Sequence, residues 1–231
     1  MVDLARRDLL RGASALGLTL ALGSYALARP AAGAAAYLFF TADEAAFIEP
    51  AVDRLIPPDS QWPGARELGV PSYIDLQLAG PYGAGERLYL QGPVKAGLPG
   101  QGYQLGLTPA ELYRTALAAV AAELGRRSID FAAAGAAEQD AFLTSLERGD
   151  IDLGGVSSAI FFETLLANTI EGFFGDPAYG GNRDMMAWRM IGFPGAYAAY
   201  LDVYTQHGLA LDRAPIAMTH AGHSASEADR H

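Results

Sequence analysis

Cysteine is absent from all 231 residues. That excludes a disulfide framework, covalently attached haem, iron–sulfur clusters and thiolate zinc sites, all of which need Cys ligands. Lysine is almost missing as well, with Lys95 the single example. No polybasic run is available to hold anionic lipid, and a formal charge of −10 opposes nucleic acid. Of the four histidines, His220, His223 and His231 lie in a polar tail and His207 just before it. They read as solvated side chains rather than metal ligands. Nucleotide-binding loops are also lacking. Gly83-Ala84-Gly85 is followed by Leu88 where a third glycine is required, and Gly100-Gln101-Gly102 by Leu105. Gly155-Val156-Ser157-Ser158-Ala159 approaches a nucleophile elbow, but Ala159 replaces its last glycine and no strand precedes it. Helix capping by Ser157 or Ser158 is the better reading.

What is present begins with a segment for export. Arg6-Arg7-Asp8-Leu9-Leu10-Arg11 resembles the twin-arginine signal pattern, with Ala5 where Ser or Thr is usual. Gly12–Ala28 follows without a charge, apolar but diluted by Gly, Ser and Thr. A membrane span needs roughly 20 strongly apolar residues, so this run reads as a signal h-region. An ordinary secretion signal and a retained anchor are the other readings of the same run. Ala26-Leu27-Ala28 and Ala34-Ala35-Ala36 both suit a signal peptidase. Met1–Ala36 holds four of the 16 basic and two of the 26 acidic residues, leaving about −12 on the remainder.

The remainder reads as an irregular, single all-α domain over 37–211 with long Gly/Pro-rich loops, preceded by the signal helix and followed by a disordered tail over 212–231. Thr41-Ala42-Asp43-Glu44 and Thr108-Pro109-Ala110-Glu111 are capping boxes. Apolar residues at helical spacing carry the first helix to Pro57-Pro58 and the other to about Arg127. Further helices are predicted over Pro71–Ala79, Ala137–Arg148, from Ser158 through the apolar AIFFETLLANTIEGFF, and over Asp184–Ile191 and Gly195–Gln206. No stretch alternates with period two long enough to make a strand. The Gly/Pro/Tyr-rich run 80–107 is too long for a simple connector, and such loops are often functional. Glu163 and Glu171 sit in the apolar helix, where a buried carboxylate can serve as acid or base, or can simply face solvent.

The densest cluster of unusual residues is FFGDPAYGGNRDMMAWRMIGFPG, ending at Gly195. Asp176-Pro177 forces a turn. Gly180-Gly181 allows backbone closed to other residues and a close approach by a second backbone. Asn182 or Asp184 can cap the following helix, and Arg183 can bridge to a carboxylate or carbonyl. Tyr179, Trp188, Phe193 and Tyr197 supply aromatics beside it. Aromatic–arginine groupings of this kind are frequent at interface hot spots. Tyr179, Gly180, Gly181, Asn182, Arg183, Asp184 and Trp188 are therefore the candidate partner interface. Core packing with a structural arginine is the competing reading.

These motifs resemble the gluconate 2-dehydrogenase subunit 3 family. The resemblance rests on EGFFGDPAYGGNRDMMAWRMIGFPG, on FFTADEAAFIEPAVDRLIPPD, on LAGPYGAGERLYLQGP and on LTPAELYR, together spanning about Phe39 to Gly208. It implies a small subunit that holds no cofactor of its own, in a membrane-associated dehydrogenase on the periplasmic side. The implied partners are a large glucose–methanol–choline-type flavoprotein with FAD and a multihaem cytochrome c with haem c. The flavoprotein would oxidise a sugar acid such as gluconate and pass electrons through the haems to quinone. The small subunit would stabilise the flavoprotein and carry it through the twin-arginine export machinery, with membrane association through the complex. Two readings from other classes stay open: a stand-alone exported binding protein, and an independent enzyme using Glu163 or Glu171.

Overall fold

The computed structural model describes residues 37–88, 90, 92, 93, 95, 98, 105–195, 206–208 and 214–218. The segment read as an export signal, with Arg6 and Arg7, the body of the helix expected at 195–206, Tyr197 and most of the tail lie outside the described residues.

The described chain is helical. Helix α1 spans Ala42–Leu55, α2 Val70–Ala79, α3 Pro109–Arg127, α4 Ala136–Glu147, α5 Ser158–Phe174 and α6 Met186–Ile191. Both capping boxes form. Thr41 N–H donates to Glu44 at 2.8 Å while Glu44 N–H donates to Thr41 Oγ1 at 3.2 Å. Thr108 and Glu111 repeat the pair at the same two distances. These reciprocal bonds satisfy amides that a helix start otherwise leaves orphaned.

Helix α5 is the hub, packing against each of the other five helices. Its sequence explains why. It has no Lys or Arg, and Phe161, Leu165 and Phe173 are buried. A helix apolar on most of its circumference is stable only when surrounded. Ile48, Val52, Ile74, Leu112, Tyr113, Phe142 and Leu146 close the core around it.

Three features depart from the sequence reading. A two-stranded antiparallel hairpin precedes α5, with β1 Asp152–Leu153 and β2 Val156–Ser157. Gly154 and Gly155 make its turn at φ 65° and 97°, the left-handed pair that a two-residue hairpin requires. Secondly, α6 begins at Met186 rather than Asp184, because Asn182, Asp184 and Met185 all have positive φ. Thirdly, residues 214–218, read as part of a disordered tail, are docked. Ile216 N–H donates to Pro194 O at 3.2 Å, Met218 N–H donates to Asp176 Oδ2 at 2.8 Å, and Ala217 is fully buried. An apolar Pro-Ile-Ala run facing a free carboxylate oxygen has partners that composition alone does not reveal.

The two serines at the start of α5 also differ from expectation. Ser157 occupies the cap position but makes no side-chain cap bond. Ser158 Oγ is buried without a hydrogen-bond partner among the described residues.

Candidate partner interface

The loop after α5 is built on close backbone crossings. A Cβ on Gly181 would lie 2.1 Å from Gly172 O, and one on Gly180 would lie 2.7 Å from Leu76 Cδ1. Gly180 itself has φ 98°. The pair of glycines therefore seats this loop on α5 and α2 of its own chain, which is the close approach expected, made internally.

Asn182 is fully buried in the left-handed conformation at φ 45°. Its Nδ2 donates to Gly175 O at 2.9 Å, and its Oδ1 accepts from Ala187 N–H at 3.0 Å. Ala187 is the second residue of α6, so Asn182 does the work of a cap from outside the cap position. The Trp188 indole N–H donates to Phe174 O at 2.6 Å, with the ring buried edge-on to Phe193 at 5.1 Å. Gly181, Asn182 and Trp188 thus face the protein interior. For Trp188 the geometry is that of core packing.

Tyr179, Arg183 and Asp184 face outward. Tyr179 is 51% exposed, although it sits in a turn fixed by Asp176, whose Oδ1 accepts from Ala178 N–H at 2.9 Å. Arg183 donates from Nη1 to Glu67 O at 2.9 Å and from its backbone to Leu68 O at 3.1 Å. Arg183 thus holds the α1–α2 loop through two carbonyls, Glu67 O by its guanidinium and Leu68 O by its backbone amide, and the first is one of the two roles foreseen for it. Between that loop and Arg183-Asp184 lies an open groove of about 470 Å³, lined among others by Pro58, Trp62, Leu68 and Met186.

Beside Tyr179 is a group of tyrosines that the sequence reading did not single out. Tyr113, fully buried, donates to Asn168 Oδ1 at 2.8 Å. Asn168 Nδ2 donates to Tyr82 Oη at 3.2 Å and to Glu171 Oε2 at 3.3 Å, and Tyr73 Oη reaches Glu171 at 3.4 Å. Burial, then the Glu171 charge, pushes the Tyr73 phenol up to about 12. Burial likewise raises Tyr82 and, far more, Tyr113. All three stay neutral and able to donate across the physiological range. A buried amide in an otherwise apolar helix was the signal in the sequence, since such a group must find partners.

This polar knot supports an apolar outer surface. Leu76 is 43% exposed and Ile170 45%, and Tyr82 is also exposed at the same end as Tyr179. The first part of the long 80–107 run folds onto its own chain: Gly83 N–H donates to Gln77 O, and Ala110 N–H to Gly83 O. Glu163 and Glu171 are both exposed, which corrects the reading of either as a buried acid or base. Eight residues apart, they share an exposed stripe of α5 among the described residues. Among the described residues no group of three His, Asp or Glu is placed to hold a metal, and no helix is long and apolar enough to cross a membrane.

The family model for gluconate 2-dehydrogenase subunit 3 matches residues 42–195, two thirds of the chain and nearly all of its described body. The chain belongs to that family, and with it to the subunits of a multi-subunit dehydrogenase. No curated protein and no solved structure matches it.

Proposed function

We propose that this chain is the non-catalytic small subunit of a periplasmic dehydrogenase complex held at the cytoplasmic membrane. Its large partner is a glucose–methanol–choline-type flavoprotein whose FAD takes electrons from a gluconate-like sugar acid. A multihaem cytochrome c passes them on to quinone. The small subunit stabilises the flavoprotein and carries it through twin-arginine export, Arg6 and Arg7 forming the recognition pair.

The observation that carries this reading is the family match over 42–195. Two features of the chain support it. Without cysteine it has no ligand for thiolate-held redox centres. The half-exposed Tyr179, with Leu76 and Tyr82, offers an aromatic–apolar surface on a rigid support, the composition of an interface centre.

Co-expression of the flavoprotein with this chain lacking Met1–Ala36 tests the carrier role. The flavoprotein is expected to be active in the cytoplasm and absent from the periplasm. Unchanged export of the flavoprotein would end that part of the proposal. For the interface, Tyr179→Ala is expected to weaken subunit association at least tenfold while changing the melting temperature of the isolated chain little. The opposite pattern would assign Tyr179 to folding.

A further inference from the structure

The carboxylate in the polar knot of α5 is held without a cation. Among the described residues, Glu44, Glu49, Glu123 and Asp140 each pair with an arginine. Glu171 instead takes bonds from neutral side chains alone, Tyr73 Oη at 3.4 Å and Asn168 Nδ2 at 3.3 Å. Both bonds are long and both reach Oε2, so Oε1 has no donor among the described residues. The neighbouring phenols record the same imbalance. Tyr73 is raised by burial, then by Glu171, Tyr82 and Tyr179, and Tyr113 by burial, then by Tyr82, Glu171 and Tyr73. No described cation opposes either rise, whereas Arg66 opposes the rise at Tyr37.

The phenols around Glu171 are placed by backbone contact. A Cβ on Gly172 would stand 2.6 Å from Tyr73 Cδ1, so the missing side chain lets the Tyr73 ring lie on α5. One on Gly180 would stand 3.7 Å from the Tyr73 backbone, which seats the Tyr179 turn beside it. Gly83 crosses the last turn of α2 against Leu78 O and fixes its neighbour Tyr82. Tyr82 and Tyr179 stay exposed, and Leu76, packed at Gly180, is partly so. Phenol faces attract cations, and neutral phenol oxygens accept hydrogen bonds. A guanidinium carries five donors in one plane and is more weakly hydrated than an ammonium. It pairs with a carboxylate and stacks on a ring at the same time, which is what this arrangement offers. The chain itself is acidic at −10, so the complementary surface is basic.

We propose that Glu171, framed by Tyr73, Tyr82 and Tyr179, receives one arginine side chain of the flavoprotein subunit. The proposal rests on the subunit reading above.

The test is the affinity of the full chain for the flavoprotein, measured for the unaltered chain, Glu171→Gln and Glu163→Gln. Glutamine keeps the shape and removes the charge. Glu171→Gln is expected to weaken binding about tenfold or more, and the gap should narrow at about 0.5 M salt. Glu163 lies roughly 12 Å away along the same helix, and its change should shift affinity less than about twofold. Equal losses from the two variants would reduce the effect to overall charge and overturn the site. A loss undiminished by salt would overturn the ion pair. The melting temperature of the Glu171→Gln chain alone should be unchanged, and a fall with unaltered affinity would make Glu171 structural. Phenylglyoxal, which modifies accessible arginines, identifies the occupant. One flavoprotein arginine should be shielded in the unaltered complex and labelled in the Glu171→Gln complex, read by peptide mass. The absence of any such arginine would overturn the proposal, as would a dimer of this chain that Glu171→Gln dissociates. If Glu171→Gln binds as tightly as the unaltered chain, the site falls and the subunit reading stands. If the unaltered chain does not bind the flavoprotein at all, the subunit reading itself falls.

Discussion

Replacing Asn182 with alanine tests how the loop over α5 is held. The residue contributes three things: a bond to Gly175 O, a bond from Ala187 N–H, and tolerance of φ 45°. Ala187 is 1% exposed, so its amide loses its partner without gaining water, at about 1–3 kcal/mol. Gly175 is half-buried, and its carbonyl loses about 0.5–1.5 kcal/mol. Left-handed backbone costs alanine roughly 1 kcal/mol more than asparagine. Together these give about 2.5–5.5 kcal/mol, or roughly 5–20 °C in melting temperature for a chain of this size. Urea unfolding of the purified chain measures the loss, and hydrogen exchange at Ala187 should lose protection in the same variant. Asn182→Gly separates the parts, since it removes both bonds but relieves the backbone. It should be more stable than Asn182→Ala by about 1 kcal/mol. A loss below about 1 kcal/mol for the alanine variant would refute the reasoning. Equal losses for Ala and Gly would remove its backbone part.

Gly181→Ala should be worse tolerated than most loop changes. Its Cβ would meet the Gly172 carbonyl at 2.1 Å, backbone against backbone, and a failure to unfold cooperatively in urea is the expected outcome. Gly192→Ala is the matched control: it has φ 68° but open space around it, and should cost only about 1 kcal/mol. Trp188→Phe leaves Phe174 O without its donor and should cost about 1–3 kcal/mol in urea unfolding. Glu44 gives an acid response. Burial raises its carboxyl, but Arg114 and the Thr41 amide outweigh that and hold it below its ordinary value of 4.5. Its contribution is present above that value and is lost as pH falls through the lowered one. Melting temperatures of Glu44→Gln should therefore fall less steeply below pH 4.5 than those of the unaltered chain, and parallel curves would contradict this.

The elements set by neighbouring residues could be read from the chain itself. Thr41 with Glu44, and Thr108 with Glu111, mark helix starts because both partners lie within one turn. The hairpin before α5 escaped because strands of two residues leave no period to detect. The start of α6 was displaced by backbone strain at Asp184 and Met185, residue types that often begin or continue helices. In the candidate interface, the sequence located the cluster but not its inside and outside. Whether Trp188 or Tyr179 meets solvent depends on where Phe174 O lies, and that is decided by packing. Tyr73 and Tyr82 are 86 or more residues away from the Asn168–Glu171 end of α5 in sequence, so no local pattern could join them to the site.

The central position of α5 also sets a clock for synthesis. Among the described residues, a nascent chain that ends before Ser158 contains helices α1–α4, which touch one another in part but lack the helix that all of them pack against. Native contacts that depend on α5 cannot form until most of the polypeptide has left the ribosome, however early the N-terminal arginines emerge. On the proposed function, the N-terminal signal is thus displayed well before α5 has been made. Any machinery that accepts only finished cargo must wait for a helix near the far end of the chain.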